Sequence, residues 1–433
     1  MKRTLTMLAM ALLLMLPACS KPAEPQTSGA SAASSEPAKK EVPTLHILTD
    51  VIMGGTFSSR SLTEFYKEAP EYKTEYKLTF QSLAPAENPE AREGEITRLR
   101  VDMMAGKGPD VLILRNFYDH VGLMTDIKNL FPVPQSAMKQ NLFLPLDDYI
   151  ANAKYMDWDK LLPAAMEAGK DSEGRQRILP MTFSLDTALF EKDQYSLTAQ
   201  LPMTRMEMLD SADPGVQWAG LGLSDSFSTA FAGQVDYPGE KLLFTEEELL
   251  ALARKSLALR QEKEAQEEHF TDIGCTVSEI SVGPINESFF DLKAPDYLMI
   301  PGYNSQGGVT AFVNTYAAVF SGTEHPDQAF AFLDRLLSKE AQQQVDLYDM
   351  RLPVHMDLCQ KSEKAMGGWY LNQWNYQQFT AVRDQINAVE YVTPVVVELI
   401  ELWQRLGAAE DGAELEKLVH DSYTRMQMIL AES

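Results

Sequence analysis

The densest recognition chemistry in this 433-residue chain is the run Gly367-Gly368-Trp369-Tyr370-Leu371-Asn372-Gln373-Trp374-Asn375-Tyr376. Its flat rings suit the C–H faces of a small solute, and its amides offer both donors and acceptors. Trp218, in a glycine-rich stretch, supplies a further ring, whereas Trp158 and Trp403 read as core anchors. Groups of this kind hold a molecule without transforming it. The six histidines form no HExxH pair, and neither a G-x-S-x-G elbow nor a P-loop is present. Paired glycosidase carboxylates need no fixed spacing, so motifs alone leave that chemistry open. No cysteine or histidine spacing suits a metal, so neither metal nor cofactor is expected. Cys275 and Cys359 read as two separate buried thiols rather than a disulfide.

The elements that must position these groups are legible from periodicity. Leu45 to Thr49 forms a short strand stopped at Asp50, followed by Gly54-Gly55. A helical face at Leu62, Phe65, Tyr66 and Ala69 ends at Pro70, and Tyr76, Leu78 and Phe80 alternate as a second strand. A helix carrying Ile96, Leu99 and Met103 stops at Gly106, and Val111 to Leu114 reads as a strand buried on both faces. Strand–helix–strand–helix–strand at this spacing implies an α/β lobe with a largely parallel sheet. Asp110 reads as a structural turn residue. Further on, Thr245 and Glu248 write a capping box, with Phe244 and Leu249 as its staple. A second helix opens at Pro326, and the chain from Ala408 to Ser433 reads as a docked closing helix.

Composition bounds the setting. Net charge is -24, which disfavours nucleic acid and anionic membrane surfaces as partners. Residues 1–18 carry Lys2 and Arg3 before an apolar core too short to span a bilayer, the pattern of an export signal. Leu16-Pro17-Ala18-Cys19 resembles the lipobox of bacterial lipoproteins, which implies lipidation of Cys19 at the mature N-terminus and anchorage to the outer face of the cell membrane. Residues 19–43, rich in Pro, Ala, Ser, Glu and Lys, are expected to form a disordered tether.

The rest of the chain resembles, in order, extracellular solute-binding proteins of the maltose-binding type. The carriers are Thr49-Asp50 with its glycine turn, Ala105 to Val111, Leu144 to Ile150, Gly174 to Pro180, residues 236–249, Ile300-Pro301-Gly302 with Gly307-Gly308, and Gln328 to Leu333. Leu189 to Asp193 and Pro202 to Glu207 depart from that family's pattern, and the tryptophan-bearing strand common near residues 275–290 is missing. The resemblance implies two α/β lobes joined by crossing strands, residues 44–184 plus 314–350 and residues 188–308 plus 353–433. It further implies a monomer, not an enzyme, that closes on a solute, foremost a sugar, and passes it to an ABC importer permease. A polyamine or peptide ligand, or a surface adhesion role, is the alternative. Ligands of open α/β sheets collect beyond the carboxyl ends of strands. On that rule the expected contacts are Asp50, Gly54, Arg115, Asn116, Phe117, Tyr118, Tyr303 and Asn304. Asp186 joins them on the supposed hinge crossing, with Trp218, Trp369 and Trp374 as rings.

Overall fold

A computed structural model describes residues 42–50, 57–85, 88–116, 128–222, 226–269, 272, 275–280, 297–344, 352–359, 373–407, 409 and 412–432. Cys19, Gly54, Phe117, Tyr118 and Trp369 lie outside these residues, as do the side chains of Cys275, Cys359 and Trp374.

Five segments of alternating strand and helix open the fold. Strand β1 (Thr44–Thr49) buries Leu45, Ile47 and Leu48, and helix α1 (Ser59–Lys67) starts on the Ser58 side chain and buries Leu62, Phe65 and Tyr66. Strand β2 (Lys77–Ser82) forms the sheet's edge and is only half-buried. Helix α2 (Pro89–Met104) buries Ile96, Leu99 and Met103, and Gly106 at φ +76° supplies the left-handed turn that ends it. Strand β3 (Val111–Arg115) is buried at every position, as its unbroken apolar run requires. Both β2 and β3 pair with β1 in parallel. Asp110 is structural, accepting from the His46 N–H at 2.8 Å and from the Thr323 hydroxyl.

Two long strands then carry the chain through the centre. β4 (Leu179–Glu191) and β9 (Val309–Val319) run antiparallel to each other. The sheet follows the order β10-β4-β9-β3-β1-β2, where β10 is Leu352–Pro353. Strands β7 (Cys275–Ile280) and β8 (Tyr297–Pro301) attach to β4, and β11 (Ile386–Glu390) attaches to β9. The sheet is therefore mixed, and its parallel part is confined to β2-β1-β3 and to the β11–β9 pair. β5 (Val235–Asp236) and β6 (Lys241–Leu242) make a separate hairpin.

Helices close both ends. α3 (Arg205–Asp210) and α5 (Glu246–Ala265) each begin with a complete capping box, Thr204–Glu207 and Thr245–Glu248, and α4 (Pro214–Leu221) is capped by Asp213. The Thr204–Glu207 box occupies the stretch where the sequence departs from the family pattern. α6 (Pro326–Leu336) packs Ala329, Phe332 and Leu333 on the first core. α7 (Gln373–Arg383), α8 (Pro394–Leu406) and α9 (Gly412–Ala431) complete the chain. Phe227, Phe244, Leu249, Trp403, Val419 and Met426 form a second core among these helices, and Trp158 packs half-buried on the first. No helix among the described residues is long and apolar enough to cross a membrane.

Candidate ligand crevice at the strand crossing

Pairing geometry defines one special place. Residues 179–185 of β4 pair with β9, whereas residues 185–191 pair with β7 and β8. On β9, residues 315–319 pair with β3 and residues 309–312 with β11. The carboxyl ends of β1 and β3 thus approach the crossing from one side. Those of β7, β8 and β11 approach from the other, at Ile280↔Leu185, Pro301↔Thr187 and Glu390↔Phe312. A crevice outside converging carboxyl ends, where strand order reverses, is where open α/β sheets take ligands.

β3 and β11 meet head-on along the same side of β9, and Asn116 seals the junction. Its backbone N–H donates to Asn314 O at 2.8 Å, its Nδ2 donates to Val392 O at 3.3 Å, and its Oδ1 accepts from the Val392 N–H. Beside the seal, Tyr316 and Tyr391 stack edge to face with centroids 5.5 Å apart. The β4–β9 register slips at Thr182–Phe183, leaving Asn314 with no residue opposite. Such bulges re-aim side chains beside functional sites. The Asn314 Nδ2 donates to Ser184 Oγ at 3.1 Å, while its Oδ1 is buried with no protein partner. Thr187 Oγ1 and Tyr391 OH are orphaned in the same way. Each orphan costs about 1–3 kcal/mol.

Glu390 ends β11 in the same cross-strand row as Phe312 and Ser184. Part of its surface remains open, yet the surrounding protein desolvates it enough to push its carboxyl up to about 8.

The expected site residues separate into three groups. Arg115, Asn116 and Asp186 do come to the crossing: Arg115 is buried at the end of β3, and the Asp186 carbonyl accepts from the Gly302 N–H at 3.1 Å. Asp50 is also at a strand end, but its carboxylate is spent. Arg92 Nη1 and Nη2 donate to its two oxygens at 2.8 and 2.6 Å, both residues are buried, and the pair locks β1 to α2. Asn116 likewise bonds the backbone of Val392. Three others are engaged within the fold. Trp218 packs on the second core under the Lys263 ammonium, 5.0 Å from its ring centroid. Tyr303 is buried, donates to Gln385 Oε1 at 2.8 Å, and has its phenol pushed up to about 12 by burial. Asn304 closes a tight turn, its Oδ1 accepting from the Gln306 and Gly308 N–H groups at 3.0 Å and its Nδ2 donating to Asn387 at 2.7 Å. Gly54, Phe117, Tyr118 and Trp369 lie outside the described residues, and Trp374 is placed only by its backbone at the start of α7.

Sequence reading missed Ser184, Asn314 and Glu390. Elsewhere, a cavity of about 310 Å³ lies between β1, β2 and α2, lined by His46, Gln81, Arg98, Asp102 and Lys107. It opens at the opposite ends of β1 and β3 from the crossing, with exposed charges of both signs. Among the described residues no cluster of three or more His, Cys, Asp or Glu side chains could hold a metal.

No protein-family model matches the sequence, and no curated protein matches it. Solved structures do. An extracellular solute-binding protein family 1 member from Alicyclobacillus acidocaldarius aligns over 90% of this chain and 100% of its own, at 14% identity and TM-score 0.59. The sugar-binding protein MalE from Xanthomonas citri aligns over 90% and 98%, at 16% identity and TM-score 0.57. The GacH receptor of Streptomyces glaucescens, solved unliganded and with acarbose, aligns over 90% and 99%, at 15% identity and TM-score 0.53. Likeness at such low identity, spanning nearly the whole of each chain, is likeness of architecture: this chain has the fold of the extracellular solute-binding proteins.

Proposed function

We propose that this protein captures a small extracellular solute, a sugar or oligosaccharide, and delivers it to an ABC importer permease. The observation that carries the reading is the convergence of five strand ends on the β4–β9 crossing. Residues 44–184 plus 314–350 and residues 188–308 plus 353–433 act as two lobes, with β4 and β9 as the hinge. Contacts between these lobes already exist. Asn116 grips Val392, Val133 packs into the second core, and Lys139 Nζ lies 3.1 Å from Glu240 Oε1. A ligand touching both lobes adds to these contacts in the closed state only, and that difference drives closure. A micromolar solute brings about -8 kcal/mol, ample against a hinge equilibrium of a few. MalE, a sugar-binding protein, and GacH, solved with acarbose, support the carbohydrate class. No catalytic role is proposed. Lipid on Cys19 and the tether of residues 19–43 would hold the lobes near a permease in the same membrane.

A thermal-shift screen of mono- and oligosaccharides, followed by X-ray scattering, tests the reading. The expected result is stabilisation by at least one saccharide together with a smaller radius of gyration. Stabilisation only by polyamines or peptides, or by no solute at all, would defeat the carbohydrate assignment.

A further inference from the structure

Beside β4 and β9, the short strand β10 carries the chain between the proposed lobes a third time. Leu352 and Pro353 pair with Phe183 and Thr182, just before β4 crosses. The Val354 N–H donates to Met181 O at 3.2 Å, and Val354 O accepts from the Leu162 N–H at 2.8 Å. His355 bridges to Leu161, and its N–H donates to Gln342 Oε1 at 3.0 Å. Asp357 lies 3.7 Å from Lys160 Nζ and 3.6 Å from Lys339 Nζ. All these partners belong to residues 44–184 plus 314–350. One bond runs the other way: Met356 O accepts at 3.1 Å from Arg383 Nη1, at the end of α7, which packs on β8. Residues 354–357 therefore form a joint held from both sides.

At its centre is an imidazole that the fold keeps uncharged. His355 is 1% exposed, and its Nδ1 is buried with no hydrogen-bond partner among the described residues. A protonated ring carries a donor on each nitrogen, so charging it in place would bury a cationic N–H unmet. Burial is the largest influence on the ring and holds it below its ordinary 6.5. Of the charges that face it among the described residues, Asp357 and Asp157 favour a proton and Lys339 opposes one. Lys160, on the turn beside Leu161, pairs with Asp357 and offsets it.

We propose that residues 354–357 are a pH-sensitive joint between the two lobes, with His355 as its sensor, so that acid surroundings unseat the segment and weaken capture of the solute. This rests on the two-lobe capture reading and adds a control to it. Above pH 6.5 the ring is neutral whether docked or released, and pH has no hold on the joint. Below 6.5 a released ring takes up a proton that the docked ring refuses, so docking weakens as pH falls. One proton bounds the effect at about tenfold per pH unit. A segment that leaves takes Met356 with it, and the Arg383 bond between the halves is lost. The hinge then populates its binding-competent arrangement less, and apparent affinity falls by the same fraction. The extracytoplasmic setting proposed above exposes such a joint directly to the pH of the medium.

Hydrogen exchange read by mass spectrometry, corrected for the intrinsic pH dependence of amide exchange, tests the joint without any ligand. X-ray scattering of the same signal-free chain, from about pH 8 to about pH 5, accompanies it. The parent should lose protection at the Leu162, Val354 and His355 amides below pH 6.5, by roughly 3- to 10-fold per pH unit, while its radius of gyration rises. His355→Phe and His355→Leu, which fill the site without a titrating group, should both keep protection and radius flat. For any saccharide that stabilises the parent, affinity should fall in step on acidification and hold in these variants. Protection in the parent that ignores pH, the same pH profile in parent and variants, or lost protection with no rise in radius each overturns the inference and leaves capture standing. If no saccharide binds, the capture reading falls, and exchange and scattering still decide the joint.

Discussion

Glu390 carries a cost that can be measured without any ligand. Its folded-state carboxyl titrates near 8 rather than at the ordinary 4.5, because burial penalises the charge. A group raised in the folded state holds its proton while the unfolded chain releases it. The stability tied to it is fully present below about pH 4.5 and falls as pH rises toward 8. Glu390→Gln removes this dependence, so the variant should gain in melting temperature over the parent steadily from pH 5 to 8. A constant difference across that range would show that Glu390 is already ionised and solvated. Asp50 teaches the opposite lesson. It occupies the position where a ligand carboxylate was expected, yet its two oxygens meet both Nη atoms of Arg92. One-dimensional reading finds the end of a strand but not the arginine 42 residues further on that claims it.

At the scale of elements, β1, α1, β2, α2, β3, the capped α5, α6 and the closing helix were all legible, because each carries its own period and its own start or stop residues. β11 was not. A five-residue strand with one fully buried position has almost no period of its own; pairing with β9 makes it a strand. The bulge at Asn314 was equally invisible, since a register slip exists only between two strands. The head-on junction of β3 and β11 likewise depends on a single amide. Asn116→Ala removes both side-chain bonds to Val392 and leaves a buried N–H and C=O unmet, a loss of about 1–3 kcal/mol. Urea unfolding should show that loss, and scattering should show a wider ligand-free particle. An unchanged radius would make the clamp merely local.

For the whole molecule, Val42–Ser433 forms one compact unit, distinct from Met1–Glu41. Pro43 O accepts the first edge bond, from the Lys77 N–H, so ordered pairing begins at the very start of that unit. A chain starting at Val42 should therefore melt within about 1 °C of one starting at Cys19, because surface changes away from packing usually stay within ±0.5 kcal/mol. A large fall on calorimetry would show that the preceding residues brace the body. The crossing strands have a further consequence, for biosynthesis. β3 pairs with β9 roughly 200 residues later, and long-range strand pairing of this kind slows folding. The β2-β1-β3 sheet cannot be joined to β9 until β9 has left the ribosome, when three-quarters of the polypeptide is already made. For the exported protein proposed here, threaded through a channel before it folds, that delay would be an advantage. The two strands proposed as its hinge would also keep the nascent chain pliable long enough to cross.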